Sequence, residues 1–255
     1  MPRLVPAAFK DIRLDAVEHR YFLGDTELTG VSRLVARVKE PYDAPAHAAR
    51  LAPSRGMAPK ELLAEWEHGR NESAWRGKEV HDYVAMRLQG APRPILRNLP
   101  EMDAFEDWWQ ANRDDLIVLA VEMIVGDAEL GVAGTLDLLV YSKRTQAVHV
   151  VDFKTNKRFD TETRYSEAML RPFSDLDACH LVEYSLQVNT YRFILERALA
   201  AARLGLPDTV PEHHRHTTLG DCLLVHLSRA GAYREHVALD LMPRIPAWLE
   251  FEVPR

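Results

Sequence analysis

The chain has 255 residues, 47% hydrophobic and 27% charged, which supplies core material for one large globular domain or two small ones. No apolar run reaches the length of a membrane span, the first residues lack the pattern of a signal peptide, and the two cysteines, Cys179 and Cys222, exclude a four-cysteine zinc or iron–sulfur site within the chain and read as free thiols of a cytoplasmic protein. A net charge of −6 argues against a non-specific nucleic-acid binder, although Lys143 to Arg171 carries seven basic residues against four acids and forms a locally positive rim.

Residues 16–28 predict a β-hairpin turning at Gly24-Asp25. A short helix follows over 33–40 with Ser32 as its N-cap, and Pro41, Pro45 and Pro53 break up the next stretch. Pro59 fits the first turn of one helix, over 60–69. A second helix is expected over 72–88, with Trp75, Val80, Tyr83, Val84 and Leu88 along one stripe and His81 between Val80 and Tyr83. A proline-rich connector over 90–100 leads to a helix over 101–112, where Phe105, Trp108 and Trp109 form the apolar side. The two tryptophans suit a core or a base-stacking platform, and the core is the simpler reading.

Residues 117–125 read as a strand, with 126–131 as its turn. A turn centred at Ala128-Glu129 sets Glu122 across from Thr135 and diagonal to Asp137, either as a third carboxylate or as an edge glutamate. Residues 136–141 and 147–154 are two apolar, β-branched strands, each interrupted by an acid. An irregular polar loop to Ala178 is a candidate lid, and a long helix over 181–204 puts Gln187 and Tyr191 on one face. Residues 205–220 form a loop in which His213, His214 and His216 make an irregular cluster, more solvated than ligating; strands over 222–228 and 233–241 join at Ala230-Gly231. No phosphate-binding Gly-x-x-x-x-Gly-Lys-Ser/Thr loop occurs, which excludes an ATPase motor of that type within the chain.

The two acid-bearing strands carry the chemistry. A lone carboxylate on a buried strand costs several kcal/mol unless it is paired or bound to metal. If the turn between the strands centres between Arg144 and Thr145, Asp137 and Asp152 become cross-strand partners, roughly 5 Å apart at Cβ. Asp152 and Lys154 point the same way, because side chains alternate along a strand. Two such carboxylates call for a cation, and hard oxygen ligands suit Mg²⁺ or Mn²⁺; the lysine then orients a water or stabilises developing charge. The competing explanation is a half-buried, salt-bridged hairpin without chemistry.

His81 in Gly77-x-x-x-His81, Gly134-Thr135-Leu136-Asp137, Val151-Asp152-Phe153-Lys154-Thr155 and Gln187-x-x-x-Tyr191 occur in that order. This series resembles the RecB-like exonuclease branch of the PD-(D/E)XK nuclease superfamily. His19-Arg20-Tyr21, Gly30-Val31-Ser32 and Pro41-Tyr42-Asp43 add a looser likeness to phage-encoded RecB-like and mitochondrial genome-maintenance exonucleases. The proline usual before the first acid is absent here. The resemblance implies an α/β, restriction-endonuclease-like core: one domain over 1–255, with a mostly helical part over 1–100 and a mixed catalytic sheet flanked by helices over 115–241. It implies His81, Asp137, Asp152 and the Phe153 carbonyl as metal ligands, with Glu122 as an optional one, and Lys154, Asp137 and Asp152 as the catalytic set. Gln187, Tyr191, Thr155, Lys157 and Arg158 would contact substrate. The implied activity is a Mg²⁺- or Mn²⁺-dependent exonuclease on single-stranded or end-containing DNA, with a protein partner supplying DNA affinity and no membrane association. The alternatives are a structure-specific endonuclease in a larger complex, or a nuclease fold kept as a DNA-binding module.

Overall fold

Eight strands form one mixed sheet in the computed structural model, which describes residues 9–92, 99–163, 167–201, 210–212 and 219–252. The chain starts with a three-stranded antiparallel meander, β1 (Ile12–Asp15), β2 (Arg20–Leu23) and β3 (Thr26–Gly30). The turn at Gly24-Asp25 is as expected, with Gly24 at φ 59; β1 lies ahead of the expected hairpin.

Helix α1 (Val31–Arg37) leaves β3 directly. Gly30 is its N-cap and makes no side-chain cap, so Ser32 lies inside the helix instead of capping it. The proline-broken stretch contains a helix, α2 (Ala44–Leu51): Pro45 sits in its first turn, where no N–H is needed, and Asp43 accepts the Ala46 N–H at 2.9 Å. The two helices expected between 60 and 88 are a single 30-residue helix, α3 (Pro59–Leu88), that runs through Gly69. Its stripe of Val80, Tyr83, Val84 and Leu88 is buried, while Trp75 is 42% exposed. Helix α4 (Pro100–Asn112) buries Phe105 and Trp108 against Phe153, with Trp109 only partly covered, so Trp108 is core and not a stacking platform.

The centre of the sheet is β4 (Leu116–Asp127), β5 (Val132–Ser142) and β6 (Ala147–Lys154). The β5–β6 register, Leu138↔Val151 through Ser142↔Ala147, is the one expected from a turn centred between Arg144 and Thr145. Strand β7 (Leu223–Leu227) adds parallel to β6, and β8 (Tyr233–Val237) closes that edge antiparallel, turning at Gly231 with φ 76. Helix α5 (His180–Ala200) and the terminal α6 (Ile245–Glu252) join α1 in one apolar layer; α3 and α4 form a separate one that includes Val151, Phe153 and Val225. The helical part at the N-terminal end therefore begins only after three strands. His213, His214, His216, Arg164 and most of the proline-rich connector lie outside the described residues. Among the described residues, no helix is long and apolar enough to cross a membrane.

Candidate active site

Strand β5 has three neighbours, and this creates the site. Strand β4 pairs along one whole edge of β5, from Leu116↔Ser142 to Asp127↔Val132. Strands β3 and β6 therefore share the other edge: β3 pairs parallel at Val132 and Ala133, and β6 antiparallel from Leu138 onward. Between them Gly134, Thr135, Leu136 and Asp137 form a notch with no ladder partner on that edge among the described residues. Side chains fill it instead. The Tyr191 ring lies against Gly134 so closely that a Cβ there would meet it at 2.5 Å. Tyr21 and Thr135 share a hydroxyl hydrogen bond at 3.0 Å. The Asp137 carboxylate accepts the backbone N–H of Phe153 at 2.7 Å, standing in for the next rung of the β5–β6 ladder.

Strand alternation sends Val151 and Phe153 into the α3–α4 core and turns Asp152 and Lys154 toward α5. Lys154 Nζ lies 2.7 Å from Asp152 Oδ2 and donates to Gln187 Oε1 at 2.9 Å, and Gln187 Nε2 donates to the Tyr191 hydroxyl at 3.0 Å. The same ammonium sits 4.2 Å from the Tyr184 ring centroid. Burial, with the Asp137 charge, pushes Asp152 up to about 6 despite Lys154 beside it. Burial alone would lower Lys154, but the Asp152 and Asp137 carboxylates outweigh it and hold the lysine above its ordinary value. Asp137 is pushed up by burial, yet His81, Lys154 and the Phe153 N–H keep it below the usual carboxylate range.

His81 reaches the notch from α3. Its Nδ1 is 3.4 Å from Asp137 and 3.8 Å from Glu122, and the charge of Asp137 above all raises its pKa well above the ordinary value. Helix α3 is held in place by an ion pair in which Arg76 donates three hydrogen bonds to Glu101 of α4, a carboxylate with 0% exposure. A second pair, Arg87 with Glu106, joins the same two helices one turn past His81.

Glu122 differs from expectation in position. The register puts Ile124, not Glu122, opposite Thr135. Val121↔Leu138 and Met123↔Leu136 bracket Glu122 directly across from Asp137, at a left-handed φ of 48. The cause is the β4–β5 turn: Asp127 Oδ1 accepts the N–H groups of Glu129 and Leu130, and Gly131 takes φ 64, which moves the turn centre one residue on and the register by two.

These side chains line one cavity of about 470 Å³, together with His19, Ser32 and Lys78. His81, Glu122 and Asp137 offer ligand atoms that all lie within 4.8 Å of one another. Asp152 is outside that trio, drawn to Lys154; its buried Oδ2 accepts no hydrogen bond of good geometry, so it has capacity for a cation. A donor set of carboxylate oxygens and one imidazole fits a hard divalent ion. Of the residues expected at substrate, Gln187 and Tyr191 line the cavity. Thr155 packs at Gly77 of α3, where a Cβ would meet its hydroxyl at 3.4 Å; Lys157 is exposed, and Arg158 faces a different cavity. The Phe153 ring is fully buried among Phe105 and Trp108. Tyr21 and Tyr184 are residues that sequence reasoning passed over; only the aromatic, β-branched character of their surroundings signalled them.

A family model described as the PD-(D/E)XK nuclease superfamily matches residues 32–214. No curated protein matches the chain. A solved structure described as "Crystal structure of SSO0001" aligns with 88% of this chain and 74% of its own at 13% identity, with a TM-score of 0.35, a likeness too loose to bear on the fold.

Proposed function

The chain belongs to the PD-(D/E)XK nuclease superfamily, and on that premise we propose that it is a Mg²⁺- or Mn²⁺-dependent deoxyribonuclease, an exonuclease of the RecB-like kind acting on single-stranded or end-containing DNA. The observation that carries the reading is one cavity lined by two buried aspartates, a glutamate, a histidine and a lysine ion-paired to the second aspartate. Retaining buried carboxylates that repel one another is costly to a fold that does not use them.

When bound by His81, Glu122, Asp137 and Asp152, with the Phe153 carbonyl beside them, the cation supplies a Lewis acid at the scissile phosphate and acidifies a water. Lys154 keeps its proton, so it acts as a donor: it orients the attacking water and meets the charge that builds on the phosphorus oxygens. Gln187 aims Lys154 through its carbonyl and is itself fixed by Tyr191, which makes both positioning residues. Asp137 holds its carboxylate through the Phe153 N–H. The net charge of −6 favours a second feature of the reading, a protein partner that contributes DNA affinity, as in a larger nuclease complex.

The test is hydrolysis of 5′- and 3′-labelled single- and double-stranded DNA with Mg²⁺, with Mn²⁺ and with EDTA. Activity is expected only with metal, and Asp152→Asn and Lys154→Ala should each abolish it in a folded protein. Full activity of either variant would refute the assignment. DNA binding without cleavage by the unaltered protein would instead favour a non-catalytic module.

A further inference from the structure

A second cavity, of about 450 Å³, opens beside the β7–β8 end of the sheet and is lined by Arg158, Phe159, His226, Tyr233, Arg234 and His236. Its size falls in the roughly 300–1,000 Å³ range of sites that take small molecules and nucleotides. One aromatic step separates it from the catalytic lysine. Tyr184, whose ring lies 4.2 Å from Lys154 Nζ, is 5.7 Å from Phe159, and Phe159 stacks on His236 at 4.3 Å and 7°. The backbone makes the same link: His226 is the register partner of Lys154, and its Nε2 meets the carbonyl of Asn156 at 2.8 Å.

The lining has the chemistry of a strand-binding groove. Arg158 and Arg234 contribute two guanidinium groups against the one carboxylate of Asp160, which lies 3.3 Å from Arg158 and 3.4 Å from His180. Arg234 is exposed and has no acidic partner among the described residues. The ring nitrogen Nε2 of His236 is buried and has no hydrogen-bond partner, an arrangement that a ligand's polar edge would satisfy. Aromatic faces beside fixed cations are how proteins hold single-stranded nucleic acid without reading its sequence.

We infer that this cavity holds a nucleotide of a single-stranded DNA substrate near the scissile position, its base against the Phe159–His236 wall and its phosphate between Arg158 and Arg234. The inference rests on the nuclease reading and extends it by giving the strand a path away from Lys154.

The test is fluorescence anisotropy of a labelled twelve-nucleotide oligo(dT) in Ca²⁺, across a salt series, with the unaltered chain and an Arg158→Ala/Arg234→Ala variant. Both arginines are exposed, and thermal melts check that the variant folds. The variant should bind at least about tenfold more weakly at low salt, and its slope of log affinity against log salt should be shallower by about 1.4, some 0.7 per lost phosphate contact. Crosslinking of an oligonucleotide carrying 5-iododeoxyuridine should map to Phe159, Tyr233 or His236. Unchanged affinity and slope, crosslinks confined elsewhere, or no binding by the unaltered chain would each overturn the inference. Cleavage assays separate the two readings. A chain that cleaves but binds equally well without these arginines keeps the nuclease and loses the groove. A chain that binds through them but never cleaves keeps the groove and loses the nuclease.

Discussion

Gly134→Ala tests whether the notch in β5 sets the catalytic geometry. A Cβ at this position would stand 2.5 Å from Tyr191 Cε1, 3.0 Å from its hydroxyl oxygen and 3.1 Å from Cζ. Carbon atoms rest about 3.5–4.0 Å apart, so the ring must retreat by about 1 Å. It has little room, because Tyr191 is buried and its hydroxyl accepts from Gln187. Overpacking of this kind costs about 1–3 kcal/mol, and each kcal/mol lowers the melting temperature by about 2–4 °C in a chain of this size. The displaced ring carries Gln187, and Gln187 carries Lys154, so turnover should fall by up to about a hundredfold, as for other misplacements near 1 Å. Urea unfolding followed by tryptophan fluorescence gives the first quantity, and turnover at saturating DNA gives the second. Adding Tyr191→Leu should restore much of the stability and none of the rate. A Gly134→Ala protein within about 0.3 kcal/mol of the unaltered chain, at unchanged turnover, would refute the packing argument.

Three other outcomes are expected. Arg76→Ala strands Glu101 as an unpaired, fully buried carboxylate and should cost about 3–5 kcal/mol in urea unfolding, whereas an exposed pair such as Lys78–Asp82 should be worth under about 1 kcal/mol. Glu122→Gln should weaken Mn²⁺ binding in calorimetry, and in metal-free protein it should move the NMR titration of His81 down toward the ordinary imidazole range, since Glu122 adds to the larger effect of Asp137. Burial pushes the Cys222 thiol up to about 12 from an ordinary value of 9.0, so the folded chain holds this proton where the unfolded chain releases it. Its contribution is fully present below pH 9 and is lost as pH rises toward 12; Cys222→Ala should flatten that alkaline loss of stability, and the native thiol should resist Ellman's reagent at pH 8.

The parts of the site carried by short-range rules were legible in the chain. The β5–β6 register followed from a polar five-residue turn between two apolar strands, and with it the pairing of Asp152 and Lys154 on one face. What lay beyond was decided by side chains or by tertiary cover. The β4–β5 register hinged on Asp127 capping two backbone N–H groups, a contact no alternation pattern reveals. Helix α3 runs through Gly69, where a lone glycine costs only about 1 kcal/mol against thirty residues of helix. Pro45 looked like a breaker and instead occupies a first turn. Trp75 fitted the helical period and still faces outward, because the stripe it extends ends at Val80, where α4 and β6 supply the cover. His81 and Gln187 were reached through resemblance alone, since the helices that bring them to the sheet are separated from it by long stretches of chain.

The substitution of a side chain for a ladder rung at Asp137 affects how inactive controls are chosen. Removing this carboxylate takes a ligand from the cavity and also strips the Phe153 N–H of its acceptor, at the point where β6 separates from β5 and Phe153 anchors the opposite core. The resulting protein would report chemistry and sheet integrity in a single number. Asp152→Asn keeps the shape and leaves that rung intact, so it is the cleaner null allele. An Asp137 variant is better used to ask how far the sheet opens, by hydrogen exchange at Phe153, once the cavity no longer holds the fork together.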